Sequence, residues 1–414
     1  MLPRTLLFIT VSLLLIANVV LGQAGSSAVP FLRIQPSPSL NGMAGSYTAL
    51  PTDDAFGRFY NPAQLGHFGS MDNLAFHTAN VDWLPQFNFN DLILESEALA
   101  LGYRFKKDYL HPFSIGLGYI NTLLNLGHQT ITDESGNVIN TFEPREWYNA
   151  YTLGLQYTSW FSISAGYTFK SVVSKVGPYN AGKAKANAID FGFIFNLPLI
   201  TAYEKLFNFG DTIEYSKLRP TLNLSIGYSK HNLRDGISYT DTYLKEPLPR
   251  QLKLGYGLRF GLSTELINGT PLKPILVSWS SEANDILLRR GRNLKNSYQD
   301  NIGDIQIIKN IVLSESNDLV ENRHGYNFQF LEILTFSKGQ FQGGGFVKIK
   351  TSGYRIQVQG FFKLIRPHFE NSMVQFLLKH LNITYSSSKY TQKQPSHPLN
   401  NTKFKGFMVS FHGL

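Results

Sequence analysis

Phe161 to Lys170 reads FSISAGYTFK, and Leu252 to Gly261 reads LKLGYGLRFG. In the first stretch Phe161, Ile163, Ala165, Tyr167 and Phe169 alternate with Ser162, Ser164, Gly166, Thr168 and Lys170. In the second, Leu252, Leu254, Tyr256, Leu258 and Phe260 alternate with Lys253, Gly255, Gly257, Arg259 and Gly261. Successive side chains of a strand point to opposite faces, so each stretch is a strand with one apolar face and one small or polar face.

The same period returns along most of the chain. Leu99, Leu101, Tyr103 and Phe105 oppose Ala98, Ala100, Gly102 and Arg104, and Tyr151, Leu153, Leu155 and Tyr157 oppose Thr152, Gly154, Gln156 and Thr158. Leu222 to Ser229, Tyr354 to Gln359 and Leu381 to Ser386 repeat it, and Phe407, Val409 and Phe411 close the series. From near Asn73 to Phe411 the pattern supplies about fourteen strand candidates without a clear linker, within the even numbers seen in bacterial single-chain barrels. A soluble all-β sandwich also alternates, but at this length it would divide into several domains. The fold class expected is all-β: a transmembrane antiparallel β-barrel with an apolar outer face ending in aromatics, a polar lumen and a few short loop helices.

Composition points the same way. Charged residues make up 16% of the 414 and aromatics 14%, with 31 Phe and 21 Tyr against 4 Trp; soluble domains average about 25% charged. There is no cysteine, so thiol and disulfide chemistry are excluded. The net charge of +9 is spread along strands and loops, so no nucleic acid partner is expected. Arg4 followed by the run Leu6 to Leu21, broken only by Thr10, Ser12 and Asn18, reads as a signal peptide over residues 1–22 with cleavage before Gln23. The run is shorter than the ~20 residues a spanning helix needs. The expected organisation is therefore signal 1–22, an N-terminal segment 23–70 and a barrel 71–414, with the bacterial outer membrane as destination and its lipid as partner.

Turns and excursions separate the strands. Thr158-Ser159-Trp160 and Thr351-Ser352-Gly353 read as tight turns, and Asn121–Trp147 and His231–Arg250 as excursions. The longest excursion runs from Ser281 to Gly325; it carries Arg289, Arg290, Arg292 and Lys295, the candidate docking residues for a partner, and Ile302, Ile305, Ile308 and Val312 at helical spacing. Phe369, Met373, Phe376, Leu377 and His380 predict a short amphipathic helix before a strand.

Residues 25–65 do not alternate. They are rich in Pro and Gly yet contain Phe31, Leu32, Ile34 and Met43, which suits a plug inside a barrel lumen, where irregular backbone is tolerated. Four pieces stand in order: Phe31-Leu32-x-Ile34-x-Pro36, Asn41-Gly42-Met43-Ala44-Gly45, Ala49 with Asp53-Asp54, and Asn61-Pro62-Ala63-x-Leu65. This series resembles the N-terminal signature of the PorV/PorQ family of type IX secretion outer-membrane proteins, themselves similar to FadL-type fatty-acid transporters. Trp279 to Arg290 and Gly325 to Leu364 resemble the family's later region, although Phe336-Ser337-Lys338-Gly339 replaces the more Arg-Gly-Tyr-like run expected there.

The resemblance implies either of two functions. One is binding and shuttling of secreted proteins through their C-terminal sorting domains, with other secretion subunits as partners. The other is transport of a long-chain fatty acid or other hydrophobic small molecule, with movement around Asn61-Pro62-Ala63 opening a route. Pro62 removes a ladder donor and Gly42 permits a kink, so this region can break regular pairing; the same residues also suit a static turn that seats the plug. No enzyme is expected: the ten histidines lack zinc-ligand spacing, Gly255-x-Gly257 lies within a strand pattern, and no nucleophile elbow occurs. Neither cofactor nor metal is called for; Asp53-Asp54 reads as turn chemistry ahead of the Asn-Pro turn rather than a calcium pair.

Overall fold

The protein is described by a computed structural model covering residues 27–87, 91–106, 112–178, 182–206, 218–234, 236–239, 245–266, 270–290, 296–299 and 302–413. The segment read as a signal peptide lies outside the described residues. Fourteen strands form the wall: β1 Asn73–Asp82, β2 Leu92–Arg104, β3 Phe113–Leu126, β4 Arg145–Thr158, β5 Ser162–Lys175, β6 Lys183–Pro198 and β7 Leu218–Leu233. They continue as β8 Gln251–Glu265, β9 Pro271–Ile286, β10 Val320–Phe330, β11 Leu334–Gly343, β12 Phe346–Gln357, β13 Leu381–Thr391 and β14 Lys403–His412. Each pairs antiparallel with its sequence neighbours, and β14 closes on β1 with Asn73 opposite His412 and Asp82 opposite Lys403. Closure leaves no edge strand, the condition for placing a sheet in hydrocarbon.

The alternation resolves as read. Leu99, Leu101, Leu153 and Leu155 point outward, between 43% and 52% exposed, while Ala98 and Ala100 beside them are buried. At the end of the barrel where β1 starts and β14 stops, outward aromatics touch in sequence: Tyr103–Phe105 at 5.4 Å, Phe113–Tyr157 at 5.3 Å, Tyr157–Phe161 at 6.2 Å and Phe161–Phe195 at 5.9 Å between ring centres. This chain of rings under β2–β6 is half of an aromatic girdle. We call this the lower rim. Among the described residues no helix is long and apolar enough to cross a membrane.

Several sequence expectations change. Thr351-Ser352-Gly353 is not a turn but the middle of β12; the turn is Gly343-Gly344-Gly345, all three at positive φ, which only glycine adopts without strain. The longest excursion shrinks to residues 287–319, because Ser281 to Ile286 and Val320 to Gly325 are strand despite their polar composition. Its helical turn is a π-helix, Ile307–Val312, and the buried isoleucines are Ile305 and Ile311 rather than Ile308. The predicted helix near the end is present. Among the described residues there are six short α-helices: α1 Pro38–Asn41, α2 Gly57–Tyr60, α3 Gln64–Gly69, α4 Leu199–Leu206, α5 Gln359–Ile365 and α6 Ser372–His380.

The lumen is less polar than its strands suggest. Residues 29–72 fill it, and Phe31, Leu32, Leu40, Met43, Phe56 and Tyr60 form one core with inward Ala98, Leu94, Ile120, Tyr148, Phe341 and Phe404 of the wall. Inward polar residues elsewhere pair across the wall, as Thr152 with Thr168 at 2.8 Å and Ser96 with Thr122 at 3.1 Å.

Outward and inward positions predict opposite tolerances. Leu153→Arg places a guanidinium on the apolar belt and should destabilise the lipid-reconstituted barrel by about 2–4 kcal/mol in denaturant unfolding. An effect near zero would count against the belt facing hydrocarbon.

Candidate functional site

The plug-forming segment, here the hatch, runs from the loop end of the barrel to the lower rim. It starts where Ala28 N–H donates to Pro247 O at 2.9 Å and Phe31 meets Tyr148 at 5.8 Å, and it ends at Asn73 in β1. Phe31, Leu32, Ile34, Pro36, Gly42, Met43, Asn61, Pro62 and Ala63 are all buried within it. The structure brings these nine residues together along one path.

The hatch lies closer to the wall than side chains would allow. Gly102, Gly116, Gly154, Gly166 and Gly192 stand opposite one another across five consecutive strands, β2 to β6, in one register row. A methyl group on Gly116 would overlap the Leu65 carbonyl, on Gly166 the Pro62 carbonyl, and on Gly192 the Asn61 side chain. Across the barrel, Gly325 and Gly339 make the same room for Met43 backbone. Close approach of two backbones is the use of glycine here.

Those gaps expose sheet carbonyls to hatch donors. Asn61 Nδ2 donates to Thr48 O at 2.7 Å, to Phe193 O of β6 at 3.1 Å and to Tyr228 O of β7 at 3.3 Å, while its Oδ1 accepts from Ala63 N–H at 3.0 Å. Arg58 enters over Gly118 and donates to Ala55 O at 2.6 Å, Leu99 O at 3.0 Å and Tyr119 O. Burial lowers its pKa to about 9, although Tyr148 and Asp54 nearby favour its charge. The β6–β7 seam above Asn61 carries a bulge: β7 has one extra residue there, Asn232 takes φ 55°, and Asp190 accepts from its N–H at 2.8 Å.

Within the hatch, Gln64 Nε2 donates to Tyr47 O and Leu50 O, both at 2.8 Å, and Oε1 accepts from Thr52 N–H at 3.0 Å. Asp54 is fully enclosed. It accepts from Ser37 Oγ at 2.7 Å, Ser39 Oγ, Phe56 N–H at 2.8 Å and His77 Nδ1 of β1 at 2.9 Å. Burial opposes its ionisation, but His77 and these donors hold it well below the usual carboxylate range. Asp53 turns the other way to Arg355 of β12, at 3.1 Å. The two carboxylates thus serve different partners, with Asp54 closing a turn and a wall contact together.

The wall answers with charge. Lys170 and Lys253 lie over the Phe59 ring at 5.9 and 5.6 Å, Glu282 accepts from Thr48 N–H at 3.0 Å, and Arg323 donates to Ala44 O at 2.7 Å. Lys170 is itself paired with Asp190 at 2.7 Å. Sequence reasoning missed Arg58, Gln64 and these wall residues. Gln64 occupied the unassigned position of the Asn-Pro-Ala-x-Leu piece, so its place in that motif was the only available signal.

Beneath the hatch, a cavity of about 570 Å³ opens at the lower rim. Its charged lining comprises Arg259, Lys273, Arg355 and Lys363 against Asp53 and Glu332. Arg355 pairs with Asp53 and Lys363 with Glu332, whereas Arg259 donates to Pro51 O at 2.7 Å and Lys273 has no ion pair among the described residues. The vestibule is therefore net cationic. Of the expected docking residues, Arg292 and Lys295 lie outside the described residues, and Arg289 and Arg290 are placed only as backbone of a short hairpin strand, Leu288–Arg290.

No protein-family profile matches the sequence, and no curated protein matches it. Solved barrels do match in outline. The Pseudomonas putida toluene transporter TodX shares 10% identity over 92% of this chain and 98% of its own, with a TM-score of 0.45. A Pseudomonas aeruginosa FadL homologue shares 10% over 91% and 98%, at 0.40, and the CymD monoaromatic hydrocarbon channel shares 10% over 91% and 96%, at 0.40.

Two predictions test the seating of the hatch. Asn61→Ala leaves the carbonyls of Thr48, Phe193 and Tyr228 short of a donor, at about 1–3 kcal/mol for each left unsatisfied; amide exchange should accelerate over residues 58–66 while the strands stay protected. His67 of α3 is lowered to about 4, first by burial and then by Arg259, against an ordinary value of 6.5. A histidine with a depressed folded pKa is stable neutral, so its contribution is complete above pH 6.5 and is lost as pH falls towards 4. Limited proteolysis of the hatch should accelerate across that window, and His67→Gln should flatten the dependence.

Proposed function

We propose that the chain is an outer-membrane barrel whose hatch is a displaceable plug for passage of a hydrophobic or amphipathic small molecule. The observation that carries this reading is the seating of the hatch. Its contacts with the wall are side-chain hydrogen bonds, a few ion pairs such as Asp53–Arg355, and van der Waals contacts over glycine, not strands woven into the sheet. Such contacts can be exchanged one by one, whereas a hatch strand paired into the wall would hold the lumen shut permanently.

The surroundings fit. An apolar solute is best kept out of water along its path, and the hatch–wall core offers an apolar surface down to the level of Asn61. The cationic vestibule below provides a wet exit. The bulged β6–β7 seam beside Asn61 is one of three places among the described residues where the wall departs from regular pairing, with the β8–β9 and β11–β12 seams as the others. The shuttle reading implied by the PorV/PorQ resemblance depends in part on loop residues outside the described part, and no contact among the described residues favours it over transport.

The test uses a reversible lock. Ser46 of the hatch and Ser280 of β9 face each other at 2.7 Å between hydroxyl oxygens, and the chain has no other cysteine to interfere. Ser46→Cys with Ser280→Cys, oxidised, should abolish uptake of radiolabelled toluene and oleate by cells expressing the protein, and dithiothreitol should restore it. Uptake indifferent to the lock would overturn the displaceable plug. Recovery of secreted proteins sharing one C-terminal domain, without uptake of either probe, would replace transport by the shuttle.

A further inference from the structure

Among the described residues, the lower rim carries helix at two places, Leu199–Leu206 after β6 and within residues 358–380 between β12 and β13. The second is a helical hairpin, α5 and α6, held firmly to the barrel. Gly360 N–H donates to Glu332 O at 3.2 Å, Lys363 pairs with Glu332, and His380 Nδ1 donates to His412 O at 2.6 Å. Arg366 and Gln375 exchange hydrogen bonds of 2.8 and 2.9 Å across the bend, and Asn371 caps α6 by accepting from Met373 N–H at 2.9 Å. Yet this fixed unit shows its apolar side to the outside: Phe361, Leu364, Phe369, Met373 and Phe376 are exposed, Met373 to 71%.

We propose that the α5–α6 hairpin, with α4 on the far side of the same rim, is a collar that lies in the interfacial layer of one phospholipid leaflet. The inference rests on the membrane-embedded reading of the barrel. Three observations choose lipid as the occupant. The exposed face of the hairpin continues directly from outward Tyr354 and Ile356 of β12 and Tyr385 of β13. It stands on the rim where β2–β6 carry their chain of aromatic rings, and supplies Phe361, Phe369 and Phe376 on the opposite arc. Lys379 in the last turn of α6 and Lys205 in the last turn of α4 are exposed without a partner among the described residues. An apolar face flanked by free lysines is the pattern of a helix lying in a headgroup layer. On its inner side α5 places Gln359 and Lys363 in the vestibule, so one helix touches both the leaflet and the exit.

The lack of native cysteine makes site labelling clean. Met373→Cys, Leu99→Cys on the belt and Ser135→Cys on an exposed loop are each labelled with the fluorophore NBD and reconstituted in phosphatidylethanolamine–phosphatidylglycerol vesicles. The collar predicts blue-shifted emission from position 373, quenched several-fold more than position 135 by lipids spin-labelled near the headgroup. Water-like, unquenched emission at 373 with a dry label at 99 would overturn the collar while leaving the embedded barrel intact, and would assign that face to a protein partner. Water-like emission at both 99 and 373 would overturn the embedded reading and the collar with it.

Discussion

A ring of fourteen strands encloses more space than its own inward side chains can fill, and everything else in this molecule answers that constraint. The space is occupied by a segment of the same chain, so two backbones run side by side through the lumen. The glycine row of β2–β6 is what permits that proximity. Without it the hatch would stand off from the wall by a side-chain layer, and Asn61 could not reach the sheet carbonyls; Gly118 gives Arg58 the same access. The row therefore acts twice, as room for packing and as access to acceptors.

Buried charge follows from the same geometry. The hatch presents backbone amides and carbonyls that have no regular partners of their own, and wall groups such as Glu282 and Arg323 meet them. Lys170, held by Asp190, and Lys253 meet aromatic faces instead. Ionised groups inside a barrel are tolerable because each has an opposite charge, a carbonyl or a ring beside it.

The barrel was legible in the sequence because the belt imposes period two wherever one face must be apolar. Phe161–Phe169 and Leu252–Phe260 needed nothing further. Legibility failed where that demand lapses. At β9 and β10, Ser281 to Asp285 and Glu321 to Arg323 lie near the loop end, where no apolar face is required, so the strands read as loop. Thr351-Ser352-Gly353 read as a turn because small residues mark both turns and hatch-facing wall. Among the site residues, Met43, Asn61 and Pro62 stood out through their motif spacing, whereas Arg58 and Gln64 gained their roles only from a long-range fold that spacing does not encode. The glycines were visible as inward-facing and small; their alignment across five strands depends on register, which the sequence leaves free.

The order of the chain has a consequence for assembly. The hatch emerges first, and part of its seat arrives last: Arg58 meets Leu99, 41 positions on, but Ala44 meets Thr351, 307 positions later, and Asn73 meets His412, 339 later. The late contacts do not exist until the final strands are made, so the seat of the hatch is completed only as the sheet closes around it. Closing β14 onto β1 and completing that seat are contacts of high contact order, and intrinsically slow. The ring is thus built around a guest that is covalently its own first segment.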